Sequence, residues 1–116
     1  MIKLTVLVVR HPALTIDEFH QRWRDHGRLI ANTPALARHI VRYEQHHRVA
    51  ADYRSGGDFD GVVLQWFESF AAFLAFLADP AYREILEGDE DALLDKSKLV
   101  VLFTEEAEVY IPAPSP

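Results

Sequence analysis

The chain is expected to fold as an α+β domain of the ferredoxin-like type, a βαββαβ unit with its helices on one face of an antiparallel sheet. Three observations lead there. Apolar runs of strand length alternate with stretches of helical period, in the order strand, helix, strand, strand, helix, strand. The helical stretches carry their own start and stop signals. Three of the four strand segments are apolar at odd and even positions alike, whereas an antiparallel sheet with one wet face should alternate.

"IKLTVLVV" (Ile2 to Val9) is short and β-branched and reads as a buried strand, broken by Pro12. In "TIDE", Thr15 is an N-cap with Glu18 three residues on, a capping box. The first helix is expected from Ile16 to Ile30, ending before "NTP", because Pro34 disfavours helical backbone at Thr33. "HIVRYEQHHRV" (His39 to Val49) predicts the second strand. "AADYRSGGD" predicts a flexible connection in which Gly56 and Gly57 supply turn geometry. "FDGVVLQWF" (Phe59 to Phe67) predicts the third strand, and Ser69 caps a helix over "FAAFLAFLAD" that stops at Pro80. "AYREILEGDEDALLDKS" reads as further helix interrupted near Gly88, and "KLVVLFTEE" (Lys98 to Glu106) as the last strand. Residues 1–110 are expected to form one domain and the Pro-rich residues 111–116 a tail.

The doubly apolar strands have a consequence. Ile2, Leu4, Val6 and Val8 oppose Leu7 and Val9; Val62 and Leu64 oppose Val63 and Phe67; Leu99, Val101 and Phe103 oppose Val100 and Leu102. Helices can cover only one face. The economical cover for the other is a second copy, two sheets closing face to face in a symmetric homodimer.

With 116 residues, 49% of them hydrophobic and 26% charged, the composition is that of one soluble domain with a modest core. The net charge of −6 and the lack of a Lys/Arg stripe argue against nucleic-acid and anionic-membrane partners. No cysteine is present, which removes disulfides, thiolate nucleophiles and Cys-based metal sites. The apolar run after Met1 is only a strand long and flanked by charge, so neither a signal peptide nor a membrane span is expected. A cytoplasmic protein is the simplest expectation.

Phe19, Trp23, His26 and Ile30 recur at the spacing of one helical face. A core stripe should be apolar, so His26 is either a packed histidine with a partner or part of a site. Imidazole titrates near neutrality, which suits proton transfer beside a pocket. Tyr43, Gln45 and His47 share one face of the second strand, a polar but nearly uncharged surface that fits a pocket wall. His46 points the other way, so the adjacent pair cannot chelate one ion. Gln65 neighbours this wall on the third strand, where its amide could hold a carbonyl oxygen. Trp66, of opposite parity, reads as core or dimer interface, and His11 and His20 as surface residues. Trp23 and Phe73 are expected to contact the substrate, with Phe70 and Phe76 as packing stock and a possible apolar lid. His26, His47 and Asp89 form a chemically conceivable ligand set, but no ligand pair has the i, i+4 spacing of a helical site, and no metal is expected.

"F…WRDHG" on the first helix, "RYEQHH" on the second strand, "FDGVVLQWFES" on the third and "DEDALLDKSKLVVLFTEE" at the end resemble the EthD family, a branch of the dimeric α+β barrel superfamily. The resemblance runs from Met1 to about Val109. It implies a dimeric α+β barrel with a pocket in each subunit, between sheet and helices. Relatives include methylmuconolactone isomerases, polyketide cyclases, fungal dehydratases and decarboxylases, and cofactor-free monooxygenases, so fold carries over better than reaction. By motif, His26 falls on a helix-one histidine with acid/base roles, Tyr43 on a strand-two tyrosine, and His47 on the histidine closing a tyrosine–x–glutamine–x–histidine pattern. An acidic residue is placed at Asp89, where it could orient a histidine. Two positions depart: Leu64 stands where many relatives are acidic, and Gln65 where the methylmuconolactone isomerase has a cysteine.

The expected function is therefore a cofactor-independent acid/base enzyme of isomerase, cyclase, dehydratase or decarboxylase type. Its substrate would be a small aromatic, polyketide-like or lactone compound. His26 is the expected general acid/base, with His47 or Tyr43 as complementary group, Asp89 as orienting group, and Gln65 and Gln45 binding substrate. The alternatives are a cofactor-free monooxygenase of phenols and a non-catalytic accessory protein that binds small molecules.

Overall fold

The computed structural model describes residues 1–116. β1 (Ile2–Val8) leads to α1 (Ile16–Ala31) and a short α2 (Pro34–Ala37). β2 (Arg42–His47) and β3 (Gly61–Phe67) follow, then α3 (Phe70–Ala78) and a π-helical turn (Tyr82–Glu87) that runs into α4 (Gly88–Leu93) and β4 (Val100–Thr104). The four strands form one antiparallel sheet in the order β2-β3-β1-β4, the ferredoxin-like arrangement.

The register decides which side chains meet. Val6 lies opposite Val63 and Val101, while Leu4 lies opposite Gln65 and Phe103, and Tyr43 opposite Gln65. By the period of two, these residues share the face on which the helices pack. α1 starts as expected: Glu18 N–H donates to Thr15 Oγ1 at 3.1 Å and Thr15 N–H to Glu18 Oε1 at 2.9 Å, a box worth about 1 kcal/mol. Its stripe of Phe19, Trp23, His26 and Ile30 is buried. Two apolar clusters result, one around Ile30, Leu36, Phe67 and Leu86, the other around Val8, Phe19, Trp23 and Leu93. Gly61 allows the second: a Cβ there would come within 2.6 Å of the Trp23 ring.

Several boundaries differ from the sequence expectation. β2 begins at Arg42, not His39, because α2 intervenes and the His39 and Ile40 amides bond back to its carbonyls. It ends at His47 because Arg48 turns into the following loop, where its guanidinium binds the carbonyls of Asp52 and Phe59 and the Asp52 carboxylate. That loop is no slack connection but a 3₁₀ turn (Ala50–Ser55), closed by Gly56 and Gly57 at φ 79° and 92°. β3 starts at Gly61, after Asp60, whose carboxylate is bound by Arg10. β4 runs from Val100 to Thr104, shorter than expected, since Lys96–Lys98 form a turn capped by the Asp95 side chain. Gly88 does not interrupt the helix; the backbone passes there from π to α geometry.

The far face of the sheet carries Leu7, Val62, Leu64, Val100 and Leu102, of which Val100 and Leu102 are 47% and 58% exposed. Trp66 lies on this face, half-buried, with Lys3 and Arg42 within 5.7 Å of its ring. No helix is long and apolar enough to cross a membrane.

Candidate active site

Between the sheet and the helices lies a cavity of about 500 Å³, bordered by both apolar clusters. Sixteen of its twenty lining residues are hydrophobic, so the few polar groups in its wall decide what it can hold. These are His26, Gln65, Glu90 and Lys96, joined by the hydroxyls of Tyr43 and Tyr82.

His26 reaches the wall because α1 carries it on the stripe that faces the sheet. It is 6% exposed, and its Nδ1 lies 2.6 Å from Asp89 Oδ2. Asp89 stands in the first turn of α4, and it is half-buried, its side chain 34% exposed. The residue types fix the proton: an ionised carboxylate only accepts, so Nδ1–H donates to Asp89 and the imidazole lone pair is left at Nε2. Leu86, Glu90 and Leu93 show how the acidic run comes inward. They follow the spacing of one helical face, with Leu86 and Leu93 almost wholly buried. Glu90 on a core stripe is the same signal in the sequence as His26 on its own. Tyr82, in the π-helical turn, donates its hydroxyl to Glu90 Oε1 at 2.5 Å, and Lys96 Nζ lies 3.5 Å from the same oxygen. Burial and the Glu90 carboxylate together raise the Tyr82 phenol well above its usual range.

Opposite these groups, Gln65 projects from the centre of the sheet, and its Oε1 is buried without a hydrogen-bond partner. Tyr43 is its cross-strand neighbour. Burial raises the Tyr43 phenol, with the hydrogen bond from Gln45 acting in the opposite direction. Trp23 and Phe73 also line the cavity.

Gln45 and His47 share Tyr43's strand face but do not line the cavity. Gln45 packs under α1, where its Nε2 donates to Trp23 O at 2.7 Å and to Tyr43 Oη at 3.0 Å. Gly27 makes room, since a Cβ there would come within 2.7 Å of Gln45 Nε2. His47 lies beyond the Trp23 ring, 4.2 Å between centroids, with Nε2 2.9 Å from Gln45 Oε1. Its Nδ1 is 2.7 Å from His20 Nδ1. His20 is thus no surface residue but a half-buried link, with Nε2 2.9 Å from Tyr53 Oη. Tyr53 donates in turn to Asp60, buried at 1% exposure. Burial pushes His47 down to about 4, assisted by the positive charge of Arg24, and lowers His20 as well. The structure therefore brings His26 and Asp89 together at the cavity and draws His47 into a separate chain. No three His, Asp or Glu side chains converge as a ligand set.

Comparison with known proteins agrees with this architecture. Residues 11–97 match the model of the EthD domain. No curated protein sequence matches the chain. Among solved structures, the chain is similar to a dimeric protein of unknown function and ferredoxin-like fold from Bacteroides fragilis (12% identity, TM-score 0.67, 90% of this chain and 95% of that one). A protein from Arabidopsis thaliana is similar at 18% identity and TM-score 0.67, covering 96% of this chain and all of that one. SnoaB, a cofactor-independent oxygenase from Streptomyces nogalater, is similar at 16% identity and TM-score 0.62, over 94% and 95% of the two chains.

Proposed function

The chain belongs to the EthD family, and within it we propose a cofactor-independent acid/base enzyme. It acts on a small, largely apolar compound with an ionisable C–H beside a carbonyl: an aromatic, polyketide-like or lactone substrate. The observation that carries this reading is the 2.6 Å bond to Asp89 from His26, which lines a mainly apolar cavity. His26 Nε2 takes the proton from carbon, the C–H electron pair moves into the carbonyl, and an enolate forms. Asp89 stabilises the resulting imidazolium through Nδ1–H. The enolate oxygen is held by donors of the opposite wall, Tyr43 O–H and the Gln65 amide. A placed base of this kind contributes about 10²–10⁴ in rate, and donors aimed at a developing oxyanion add to it. Return of the proton to another carbon gives isomerisation; loss of a leaving group or attack of the enolate gives dehydration or cyclisation.

The subunits are proposed to work as homodimers. The sheet's far face is apolar and uncovered in the single chain, and similar structures are described as dimeric. A second reading, cofactor-independent oxygenation of a phenol, is favoured by the structural likeness to SnoaB. It starts from the same His26-generated anion and differs in consuming oxygen.

Melting temperature against a panel of muconolactones, hydroxyquinols, anthrones and polyaromatic acids tests the proposal. A stabilising compound should lose its effect in His26→Ala and turn over in the native protein, and an oxygen electrode then separates the two chemistries. A compound that still binds His26→Ala places the site elsewhere, and binding without turnover makes the protein an accessory binder.

A further inference from the structure

We propose that Gln45, clamped by the His20–His47 pair, is a positioning residue that fixes Tyr43 as a hydrogen-bond donor to an acceptor oxygen of the cavity's occupant. The proposal rests on the reading of the cavity given above and names what Tyr43 does in it.

The hydrogens of the chain can be assigned one by one. Gln45 Nε2 has two, and both are placed: one on Trp23 O at 2.7 Å, one on Tyr43 Oη at 3.0 Å. Its Oε1 can only accept, so the 2.9 Å contact with His47 requires a hydrogen on His47 Nε2. A neutral His47 then presents a lone pair at Nδ1, and His20 must donate across the 2.7 Å Nδ1–Nδ1 contact. Inverting the Gln45 amide would set its oxygen against the Trp23 carbonyl, acceptor against acceptor, and its N–H group against His47 Nε2–H, donor against donor. The Trp23 carbonyl therefore selects one orientation, and the proton on His47 Nε2 holds it.

The consequence falls on Tyr43. Its oxygen already receives a hydrogen from Gln45, and its own hydroxyl proton donates to no group of the protein. Tyr43 lines the cavity, so that proton is available there. That proton favours an occupant oxygen that accepts: a carbonyl, an enolate or a phenolate, while the unpartnered Oε1 of neighbouring Gln65 is left to accept from a hydroxyl of the occupant. The same bond from Gln45 strengthens Tyr43 as a donor by stabilising the charge that its oxygen gains on donating. His47, behind Trp23, acts only through Gln45.

The test uses 4-nitrophenol, whose phenolate is an oxyanion with a visible absorbance, on the intact protein and on ¹⁵N-histidine-labelled protein. Tyr43→Phe and Gln45→Met should each weaken phenolate binding by roughly tenfold or more, the weight of a hydrogen bond to a charged acceptor. The double variant should bind no worse than Tyr43→Phe, since Gln45 acts through that hydroxyl. The His47 ring should show its proton on Nε2. Multiplying losses in the double variant, or a proton on His47 Nδ1, overturns the proposal. Should Gln45→Met fail to fold, His47→Leu and His47→Gln carry the same contrast: the first should mimic Tyr43→Phe, and the second, which can still donate to Gln45 Oε1, should restore binding. Equal losses in both overturn it. If native protein does not bind the phenolate, the reading of the cavity fails, and the His47 tautomer then decides the positioning claim alone.

Discussion

His26 Nδ1 lies 2.6 Å from Asp89 Oδ2, a pair that joins a mid-helix histidine lining an apolar cavity to a carboxylate 63 residues away. Asp89→Asn keeps the shape and removes the charge. Asparagine can meet the ring with an N–H, which favours the tautomer with its lone pair at Nδ1 and withdraws the base at Nε2. Proton abstraction by the cavity is expected to fall roughly ten- to a hundredfold, less than in a sealed dyad because Asp89 is 34% exposed. Turnover of the first compound found to bind, with a melting curve as control, checks this.

Gly27→Ala sets two effects against each other. Replacing a mid-helix glycine gains up to about 1 kcal/mol of helix propensity. The new Cβ, however, would approach Gln45 Nε2 to 2.7 Å, and overpacking costs about 1–3 kcal/mol. Gln45 is held by three bonds and cannot simply swing away. The variant should be destabilised by about 1 kcal/mol in urea, and the tautomer preference of His47 should weaken with it.

Stability should fall on acidification through a defined window. Folded His47 sits near 4 against an ordinary value of 6.5, and burial lowers His20 too, partly offset by Asp60. Below about pH 6.5 the unfolded chain binds protons that these folded groups refuse, for His47 down to about pH 4, so stability is complete above the window and declines as the pH drops through it. Each histidine contributes at most about 1.4 kcal/mol per pH unit. His20 should titrate first. With both rings neutral, Tyr53's single proton is shared between His20 Nε2 at 2.9 Å and Asp60 Oδ1 at 2.7 Å. A proton on His20 completes the chain without disturbing the bond from His47 to Gln45. His20→Gln should flatten the slope measured by urea denaturation between pH 7 and 5.

The far face of the sheet predicts the assembly. Leu102 is 58% exposed in the single chain, so Leu102→Asp should cost the subunit little while placing a charge in the proposed dimer contact. Gel filtration should give a dimer mass for the native protein and a shift towards monomer for the variant. A native monomer would remove the dimer from the account.

The fold was legible because its signals are local. The apolar runs of β1, β3 and β4, the Thr15–Glu18 box and the Ser69 cap act within a few residues of one another. His26 was legible too, as a polar residue breaking an apolar period. The partners that give these side chains their roles were not. His20, His47, Tyr53 and Asp60 are brought together across separations of 7 to 33 residues, and no periodicity records that. Strand parity placed Tyr43, Gln45 and His47 on one face, as the register has it, but parity says nothing of depth. Gly27 and Gly61 let α1 sink so close that Gln45 and His47 are covered and Tyr43 alone reaches the cavity. Tyr82, Leu86, Glu90 and Leu93 recur at spacings of four, four and three, so Glu90 on a core stripe was legible by the rule that singles out His26; its bond from the Tyr82 hydroxyl was not.

The most direct measurement is deuterium uptake at the activated carbon of anthrones and butenolides in D₂O, followed by proton NMR with native protein and with His26→Gln. The account predicts exchange accelerated by the native protein and abolished in a variant that still melts cooperatively. Exchange that survives the loss of His26 would contradict it.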